Sequence, residues 1–322
     1  MTTGALPRRP KKECEDTLSY AARRLSAFPN LCWSLANEYD TMTHLERSWW
    51  PDFAALLHRE SPYGHLLSHH HCITEWDFKN PDTTHVCLQT IRTFRIPSYR
   101  RRFRRPVVAD ECGYEGDLPY AWGDLTGREL MRRIWTGYVL GGFVSYGETL
   151  LAPKDAGRVP DDGGADAVLW WAKGGTLRGK AVSRIAYLKT VLESLPGPID
   201  PCPLDHDHDR EVLQRRLLDP EEARKMTDVQ RDLAAMSDSD YQDFEDSARD
   251  IAGQVEDLAY FRYFGAHQPS SCRLSLPGNA ACTVRVLDTW QMREVRCMQH
   301  ASGKISVPLP GTPDILVPAV RE

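Results

Sequence analysis

Two acidic residues stand directly after apolar stretches of the sequence. Glu38 ends NLCWSLANE (30–38) and Glu111 ends PVVADE (106–111). In parallel α/β proteins the functional groups collect where the strands end at their carboxyl termini. Two carboxylates there suit retaining hydrolysis of a glycosidic bond, because one attacks the anomeric carbon and the other protonates the leaving oxygen. Singly, each acid could instead cap a helix or form a salt bridge. Both fit one mechanism, which favours catalytic roles.

Further residues could bind a sugar substrate. The candidates are Asn37, His69, His71, Glu115, Glu148, Trp170, Trp171 and Lys173. Asn37 could donate to a sugar 2-hydroxyl. The two tryptophans offer flat faces on which sugar CH groups stack, although adjacent tryptophans are equally common in cores. For Glu115, shaping its loop or holding sugar hydroxyls is favoured over a second catalytic role. Glu148 either binds substrate or forms a structural ion pair.

Two histidine-rich stretches invite a metal interpretation. Successive strand residues point to opposite faces, so the three histidines of SHHHC (68–72) cannot bind one ion from a regular strand. We assign either His69 or His71 to substrate. DHDHD (205–209) resembles a chelator in composition only, and its charged surroundings favour a solvated role. We therefore expect neither a metal ion nor an organic cofactor.

The candidate residues must be positioned by a sheet of short strands. The five apolar stretches are NLCWSLANE (30–38), HLLSH (65–69), THVCLQ (84–89), PVVADE (106–111) and GGFVSYGE (141–148). Helix-like segments lie between them at 16–27, 43–60, 94–104, 127–139 and 183–195. Continuous apolar strands separated by helices predict the α/β class, with a parallel sheet covered on both faces.

The rest of the chain changes in character. We expect a charged tail over 1–15, a catalytic-type domain over 16–198, and a charged helical or disordered insertion over 199–254. Residues 255–322 contain short alternating stretches separated by Gly, Pro and Asn. This pattern predicts a small antiparallel β-domain.

Composition excludes several classes of protein. The 322 residues carry a formal net charge of −5, so no basic field is present to bind nucleic acid. The first residues contain no apolar signal region, and no window approaches about 18 uninterrupted apolar residues. We expect a soluble, cytoplasmic protein without a membrane partner. The nine cysteines show no CxxC spacing, which argues against a disulfide framework and a zinc ribbon.

Four ordered motifs make the chain resemble clan A glycoside hydrolases, the retaining TIM-barrel enzymes. The motifs are WSLANEYD (33–40), DECGYEGD (110–117), GGFVSYGET (141–149) and LWWAKGG (169–175). The resemblance is closest to a little-characterised group of proteins assigned as glycoside hydrolases with a small C-terminal β-domain. It implies that Glu38 is the acid/base at the end of strand four and that Glu111 is the nucleophile at the end of strand seven.

The chain departs from this resemblance in its number of strands. A complete barrel has eight βα units, and the five strands before residue 195 correspond to units four to eight. The expected fold is therefore a partial (β/α)8 TIM barrel followed by a small antiparallel β-sandwich. Three alternatives follow: the chain is a truncation, a second copy or another polypeptide covers the open edge, or the sheet stands open. The resemblance implies hydrolysis of O-glycosidic bonds by double displacement, and the alternative is a catalytically weak carbohydrate-binding or interaction protein.

Overall fold

The chain divides into two compact units. The computed structural model describes residues 10–155, 176–202, 210–241, 244 and 250–322. The first unit contains Met1–Tyr138 and Gly142–Val191, and the second contains Val139–Gly141 and Leu192–Glu322.

Strands and helices alternate from residue 11 to residue 193. The strands are β1 (Cys32–Ser34), β2 (Leu66–Ser68), β3 (Val86–Gln89), β4 (Val107–Glu111) and β5 (Phe143–Val144). The helices are α1 (Lys11–Leu25), α2 (Trp50–Glu60), α3 (Ile96–Phe103), α4 (Gly127–Val139) and α5 (Ala181–Glu193). Each predicted strand and helix of this part therefore has an observed counterpart. Helix α1 begins at Lys11, within the segment for which a charged tail is predicted.

The strands of the first unit pair in parallel. Strand β1 pairs with β2, and β3, β4 and β5 form a three-stranded sheet with β4 in the centre. Val86, Leu88, Val107 and Ala109 are buried because the central strands are covered on both faces. These parallel strands confirm the α/β class.

Helices α1 and α2 cover the pair formed by β1 and β2. Ala22 of α1 packs with Ala54 and Leu57 of α2 and with Leu67 of β2, and all four are buried. Small alanine side chains let the helices approach closely, while the leucines supply apolar area worth about 2 kcal/mol each. This packing supports β1, whose end leads to Glu38.

The second unit is dominated by antiparallel strands. These are β6 (Asp200–Pro201), β7 (Ile251–Val255), β8 (Ala259–Tyr263), β9 (Ser271–Ser275), β10 (Cys282–Asp288), β11 (Arg293–Ala301), β12 (Lys304–Pro308) and β13 (Ile315–Arg321). Six form one sheet in the order β11-β10-β13-β8-β7-β6, and β12 pairs with β9. Alternate residues such as Val284, Val307 and Val317 meet in one buried core. The sequence predicts this separate antiparallel β-domain correctly.

Three short helices lie in the segment where a charged insertion is predicted. They are α6 (Arg210–Leu218), α7 (Pro220–Lys225) and α8 (Asp228–Ala235). Asp219 caps α7, and Thr227 with Gln230 forms a capping box on α8. Leu213 is buried in their shared core. Strand β7 begins at Ile251, four residues before the predicted domain boundary, while DHDHD (205–209) lies outside the described residues.

No helix in the described parts of the chain is both long and apolar enough to cross a membrane. All nine cysteines are free thiols.

Candidate active site

Glu38 lies in a tight turn that follows β1. Its backbone adopts the left-handed conformation, with φ 49° and ψ 56°, and it precedes a short 3-10 helix at Tyr39–Thr41. This conformation is uncommon for a residue with a side chain and persists where its surroundings hold it. Strand β1 itself ends at Ser34. The predicted strand is therefore longer than the observed one, because the chain turns before it reaches the acid.

Glu111 is the last residue of β4, and an irregularity in the sheet determines what it faces. Leu88 of β3 pairs with Ala109, but the next residue, Gln89, pairs with Glu111. The register therefore skips Asp110. Bulges of this kind redirect side chains and are common beside active sites. Asp110 instead accepts a hydrogen bond from the Cys87 thiol at 2.6 Å.

His70 lies between the two acidic residues, and the Gln89 side chain contacts one of them. The Gln89 side-chain amide donates to Oε1 of Glu38 at 3.1 Å. The backbone N–H of Glu38 donates to Nδ1 of His70 at 3.1 Å, and Nε2 of the same ring lies 3.6 Å from Oε1 of Glu111. The structure thus brings the two predicted catalytic residues to one site at the carboxyl ends of the strands.

Tyr114 and Cys72 also border this site. Burial raises the pKa of the Tyr114 phenol, and its hydrogen bond to Glu111 and the charge of Glu38 raise that pKa further. Burial and the adjacent Glu38 carboxylate likewise raise the pKa of the Cys72 thiol. Both groups are therefore protonated at neutral pH, so Tyr114 is a hydrogen-bond donor to Glu111.

Asp40 fixes the loops on which Glu38 and His70 lie. Its buried carboxylate accepts hydrogen bonds from the backbone N–H groups of Cys72, Ile73 and Thr74 at 2.8, 2.7 and 2.6 Å. Burial alone would raise the pKa of Asp40, but these three donors outweigh that effect and lower it. Asp40 therefore joins the turn after β1 to the chain that follows β2.

Glu115 and Glu148 meet at the beginning of α5. The buried Glu115 carboxylate accepts hydrogen bonds from the backbone N–H groups of Lys180 at 2.6 Å and Ala181 at 2.9 Å. Glu148 accepts from the N–H of Gly179 at 2.7 Å, and the Tyr146 hydroxyl donates to both acids. Carboxylates are favourable there because the first N–H groups of a helix lack partners within the helix. Both predicted substrate-binding acids thus hold a helix terminus in this structure.

His69 and His71, the histidines assigned to substrate, are core residues. His69 is fully buried and stacks on Trp76 with ring centroids 3.7 Å apart, and burial lowers its pKa to about 3. His71 packs edge-on against Phe78, and burial lowers its pKa as well. This packing leaves His69 no surface to offer a substrate.

The remaining candidates differ in position. Asn37 is exposed and immediately precedes Glu38. Trp170, Trp171 and Lys173 lie outside the described residues, so their assignments stay predictions. Within the described ranges, no group of three or more His, Cys, Asp or Glu residues is arranged to hold a metal ion.

His70, Gln89 and Asp40 are residues that sequence reasoning missed. Gln89 ends an apolar strand beside the one that carries Glu111, which is the signal that could have identified it. His70 lies two residues past the end of β2, where strand alternation no longer predicts orientation. Asp40 lies two residues after Glu38, so the sequence does not show which of the two acids has which role. The hydrogen bonds of Asp40 to residues 72–74 distinguish them.

Comparisons with known proteins bear on both units. Residues 249–318 match a family described as a domain of unknown function, DUF5605. None of the curated protein sequences matches the chain.

Three solved structures resemble nearly the whole chain. A "putative glycoside hydrolase" from Bacteroides vulgatus ATCC 8482 is 22% identical with a TM-score of 0.72, over 98% of this chain and 56% of its own length. A glycoside hydrolase family 5 protein from the same organism is 16% identical with a TM-score of 0.61, over 97% and 67%. Another glycoside hydrolase is 13% identical with a TM-score of 0.59, over 97% and 69%.

The chain has a glycoside-hydrolase-like fold. It spans about half the length (56%) of the first of these structures. The resemblance to glycoside hydrolases that the four motifs indicate is confirmed at the level of the fold.

Proposed function

We propose that this chain carries the catalytic pair of a retaining glycoside hydrolase, with Glu111 as the nucleophile and Glu38 as the acid/base. The observation that carries the proposal is that the His70 ring lies between the two acids, 3.1 Å from the Glu38 backbone nitrogen and 3.6 Å from Oε1 of Glu111. The Gln89 amide, on the strand beside Glu111, donates to Oε1 of Glu38 at 3.1 Å. Retaining enzymes need their carboxyl groups about 5 to 5.5 Å apart. Tyr114 and Cys72 each interact with the charges of both Glu38 and Glu111, which supports a closely spaced pair of carboxylates.

The chemistry would proceed in two displacements. A Glu111 carboxylate oxygen attacks the anomeric carbon, and Glu38 gives its proton to the leaving oxygen as the glycosidic bond breaks. Glu38, now a carboxylate, takes a proton from water, which attacks the same carbon and releases Glu111. Tyr114 stabilises the Glu111 carboxylate before attack through its hydrogen bond. Asn37 would donate to the sugar 2-hydroxyl.

The fold we propose is part of a clan A barrel. Strands β1 to β5 would correspond to units four to eight of a (β/α)8 barrel, because Glu38 follows β1 and Glu111 ends β4, three units later. In this arrangement both acids lie at the carboxyl face of the barrel, where catalytic residues of such barrels are found.

A second candidate is a carbohydrate-binding protein with little turnover. The observation that favours it is that the five parallel strands of the described residues pair in two groups, β1-β2 and β3-β4-β5. Catalysis is sensitive to small displacements, and a shift of about 1 Å can cost about 100-fold in rate. An unclosed sheet could therefore hold a sugar without turning it over efficiently.

Covalent trapping distinguishes the two candidates. We would incubate residues 1–322 with 2,4-dinitrophenyl 2-deoxy-2-fluoro β-glycosides of glucose, galactose, mannose and xylose. This leaving group departs without acid help, and the fluorine slows release of the intermediate. A retaining hydrolase should become labelled once, on Glu111, as read by peptide mass spectrometry. Sugar binding by calorimetry without any label would contradict the enzyme and support the binding protein.

Two variants assign the roles of the acids. Glu111→Gln should abolish labelling, because the amide is not a nucleophile. Glu38→Gln should still be labelled, yet hydrolysis of 4-nitrophenyl glycosides, which need the acid, should fall by about 100- to 10,000-fold. Glu46→Gln, at an exposed position, is the matched control and should behave as the unsubstituted chain. Loss of labelling in Glu38→Gln alone would reverse the assignment.

A further inference from the structure

We propose that His70 is a positioning residue that orients both members of the carboxylate pair, an inference that rests on the proposed function. The ring is 3% exposed and lies between the two acids. Its Nδ1 accepts the Glu38 backbone N–H at 3.1 Å, and its Nε2 lies 3.6 Å from Oε1 of Glu111. One side chain thus contacts the backbone of one acid and faces the carboxylate of the other.

The contact with Glu38 determines which nitrogen of His70 carries the proton. A ring nitrogen that accepts an N–H group must keep its lone pair, so in the neutral ring the proton is on Nε2. Nε2 is buried and has no hydrogen-bond partner within range in the described part of the chain. Its N–H therefore points toward Glu111 across a gap slightly longer than a hydrogen bond. Such contacts often shorten when substrate fills an active site.

The same residue also supports the strained turn at Glu38. The carbonyl oxygen of His70 accepts the backbone N–H of Tyr39 at 2.9 Å, next to the bond from the Glu38 N–H to the ring. Two consecutive N–H groups of the turn are therefore held by one residue. A left-handed backbone is unfavourable for a residue with a side chain, so Glu38 needs such support. Replacement of the ring would release the turn that aims the Glu38 carboxylate.

The neighbouring histidines show what a purely structural role looks like at this point of the chain. His69 stacks on Trp76 and also meets the rings of Tyr39 and Trp50, so aromatic rings surround it, while His71 packs against Phe78. The two ring nitrogens of His70 face a backbone N–H and a carboxylate instead. Its surroundings are polar and are formed by the candidate catalytic residues, which favours a role in the reaction.

The tautomer of His70 tests this placement without any catalytic turnover. In protein with ¹⁵N-labelled histidine, long-range ¹H–¹⁵N spectra at pH 7 should show an unprotonated Nδ1 and a protonated Nε2 for His70. Glu111→Gln should shift the Nε2–H signal and leave the Nδ1 signal nearly unchanged. A ring protonated at Nδ1, whether neutral or charged, would overturn the proposal, because it could not accept the Glu38 N–H.

Two substitutions of His70 separate its two contacts. His70→Asn keeps an acceptor near the position of Nδ1, and His70→Gln keeps a donor near the position of Nε2. His70→Asn should slow labelling of Glu111 by the fluoro glycosides by at least about tenfold, and His70→Gln should slow it less. Hydrolysis of 4-nitrophenyl glycosides requires Glu38, whose backbone N–H donates to Nδ1. It should therefore be impaired more in His70→Gln than in His70→Asn.

This opposite ranking is what a structural role alone would not produce. The same two substitutions at His58, whose side chain is 67% exposed, serve as controls and should change neither rate. If both His70 variants slow both reactions in the same ratio, or slow neither, the positioning role is wrong. If the unsubstituted chain is never labelled, the proposed function fails. The tautomer measurement still decides whether Nδ1 of His70 accepts the Glu38 N–H.

Discussion

At the scale of single residues, the site depends on groups that do no chemistry themselves. Asp40 has no place in the proposed reaction, yet its carboxylate receives three backbone N–H groups from residues 72–74. It thereby connects the turn of Glu38 to the chain that follows His70. Glu38 occupies a left-handed backbone conformation, so this connection is needed to keep the acid in place.

Substitution of Asp40 should destabilise the protein in a pH-dependent way. In Asp40→Asn an NH2 group or a single oxygen must face three N–H groups, so the free energy of unfolding at pH 7 should fall by about 1–3 kcal/mol. The pKa of Asp40 is lower in the folded state than its ordinary value of 3.8. Its stabilising contribution is therefore complete above about pH 5 and is lost as the pH falls through the folded-state pKa.

Urea unfolding at pH 7 and pH 3 measures this difference. The gap between the unsubstituted chain and Asp40→Asn should be smaller at pH 3, because this pH lies below the ordinary pKa of 3.8 and the unfolded chain then binds a proton that the folded Asp40 carboxylate resists. Asp77→Asn is the matched control, since Asp77 is exposed and accepts one N–H at 3.0 Å in a turn where asparagine serves equally well. A gap that stays constant with pH would show that the carboxylate charge is not the stabilising feature.

At the scale of secondary-structure elements, acidic side chains hold the beginning of a helix. Glu115 and Glu148 belong to the loops that follow β4 and β5, and together they accept the N–H groups of Gly179, Lys180 and Ala181. Both acids lie within the motifs that indicate the family resemblance. Glu115 and Glu148 connect α5 to the strands that carry the site. This structural role accounts for these two acidic positions of the motifs.

Glu115→Gln should lower the free energy of unfolding of the first unit and leave sugar binding nearly unchanged. The amide keeps one acceptor but presents an NH2 group to a backbone N–H, so a buried group loses its partner. We expect a loss of about 1–3 kcal/mol in the free energy of unfolding. Glu129→Gln, at a 42% exposed side chain paired with Arg133, should cost less than about 0.5 kcal/mol. Unchanged stability with weaker sugar binding would instead support the substrate-binding role predicted for Glu115.

At the scale of the whole molecule, each unit has a hydrophobic core of its own. Alternating strand residues supply the core of the second unit, and helices α1 and α2 pack over β1 and β2 in the first. Both catalytic candidates belong to the first unit, whose strands pair as β1-β2 and β3-β4-β5. The Thr84 N–H donates to the Leu67 carbonyl at 2.8 Å and so connects the two groups. If Glu38 and Glu111 are the catalytic pair that we propose, their relative position depends on how firmly these two groups of strands are held.

We expect residues 1–322 to turn over aryl β-glycosides slowly as a monomer. If the fold is the partial barrel that we propose, its sheet is not closed and allows small displacements of Glu38 relative to Glu111, which are costly to the rate. The kcat/KM of monomer fractions from size-exclusion chromatography should lie below the range of about 10⁴ to 10⁸ M⁻¹s⁻¹ that enzymes typically reach. Turnover within that range by the monomer, abolished in Glu111→Ala, would contradict this expectation. Activity confined to an oligomer would indicate that a neighbouring chain completes the site.

The sequence by itself determined the α/β class and the separate antiparallel domain, and it selected Glu38 and Glu111 as candidates, of which only Glu111 ends a strand. These features depend on local patterns, because apolar stretches, helical segments and turn residues repeat at periods that can be read along the chain. The same local logic identified Glu38 and Glu111, since each follows an apolar stretch closely.

The tertiary structure alone decided which other residues meet these acids. Strand alternation could not select among the three histidines after β2, because His69, His70 and His71 lie past the last paired residue, Ser68. Pairing between strands decided that Gln89 faces Glu111, since a register shift skips Asp110. Long-range hydrogen bonds likewise assigned Asp40 and Glu115 to backbone N–H groups distant in sequence. Such contacts depend on where separate elements are brought together, and no periodicity within one element encodes that position.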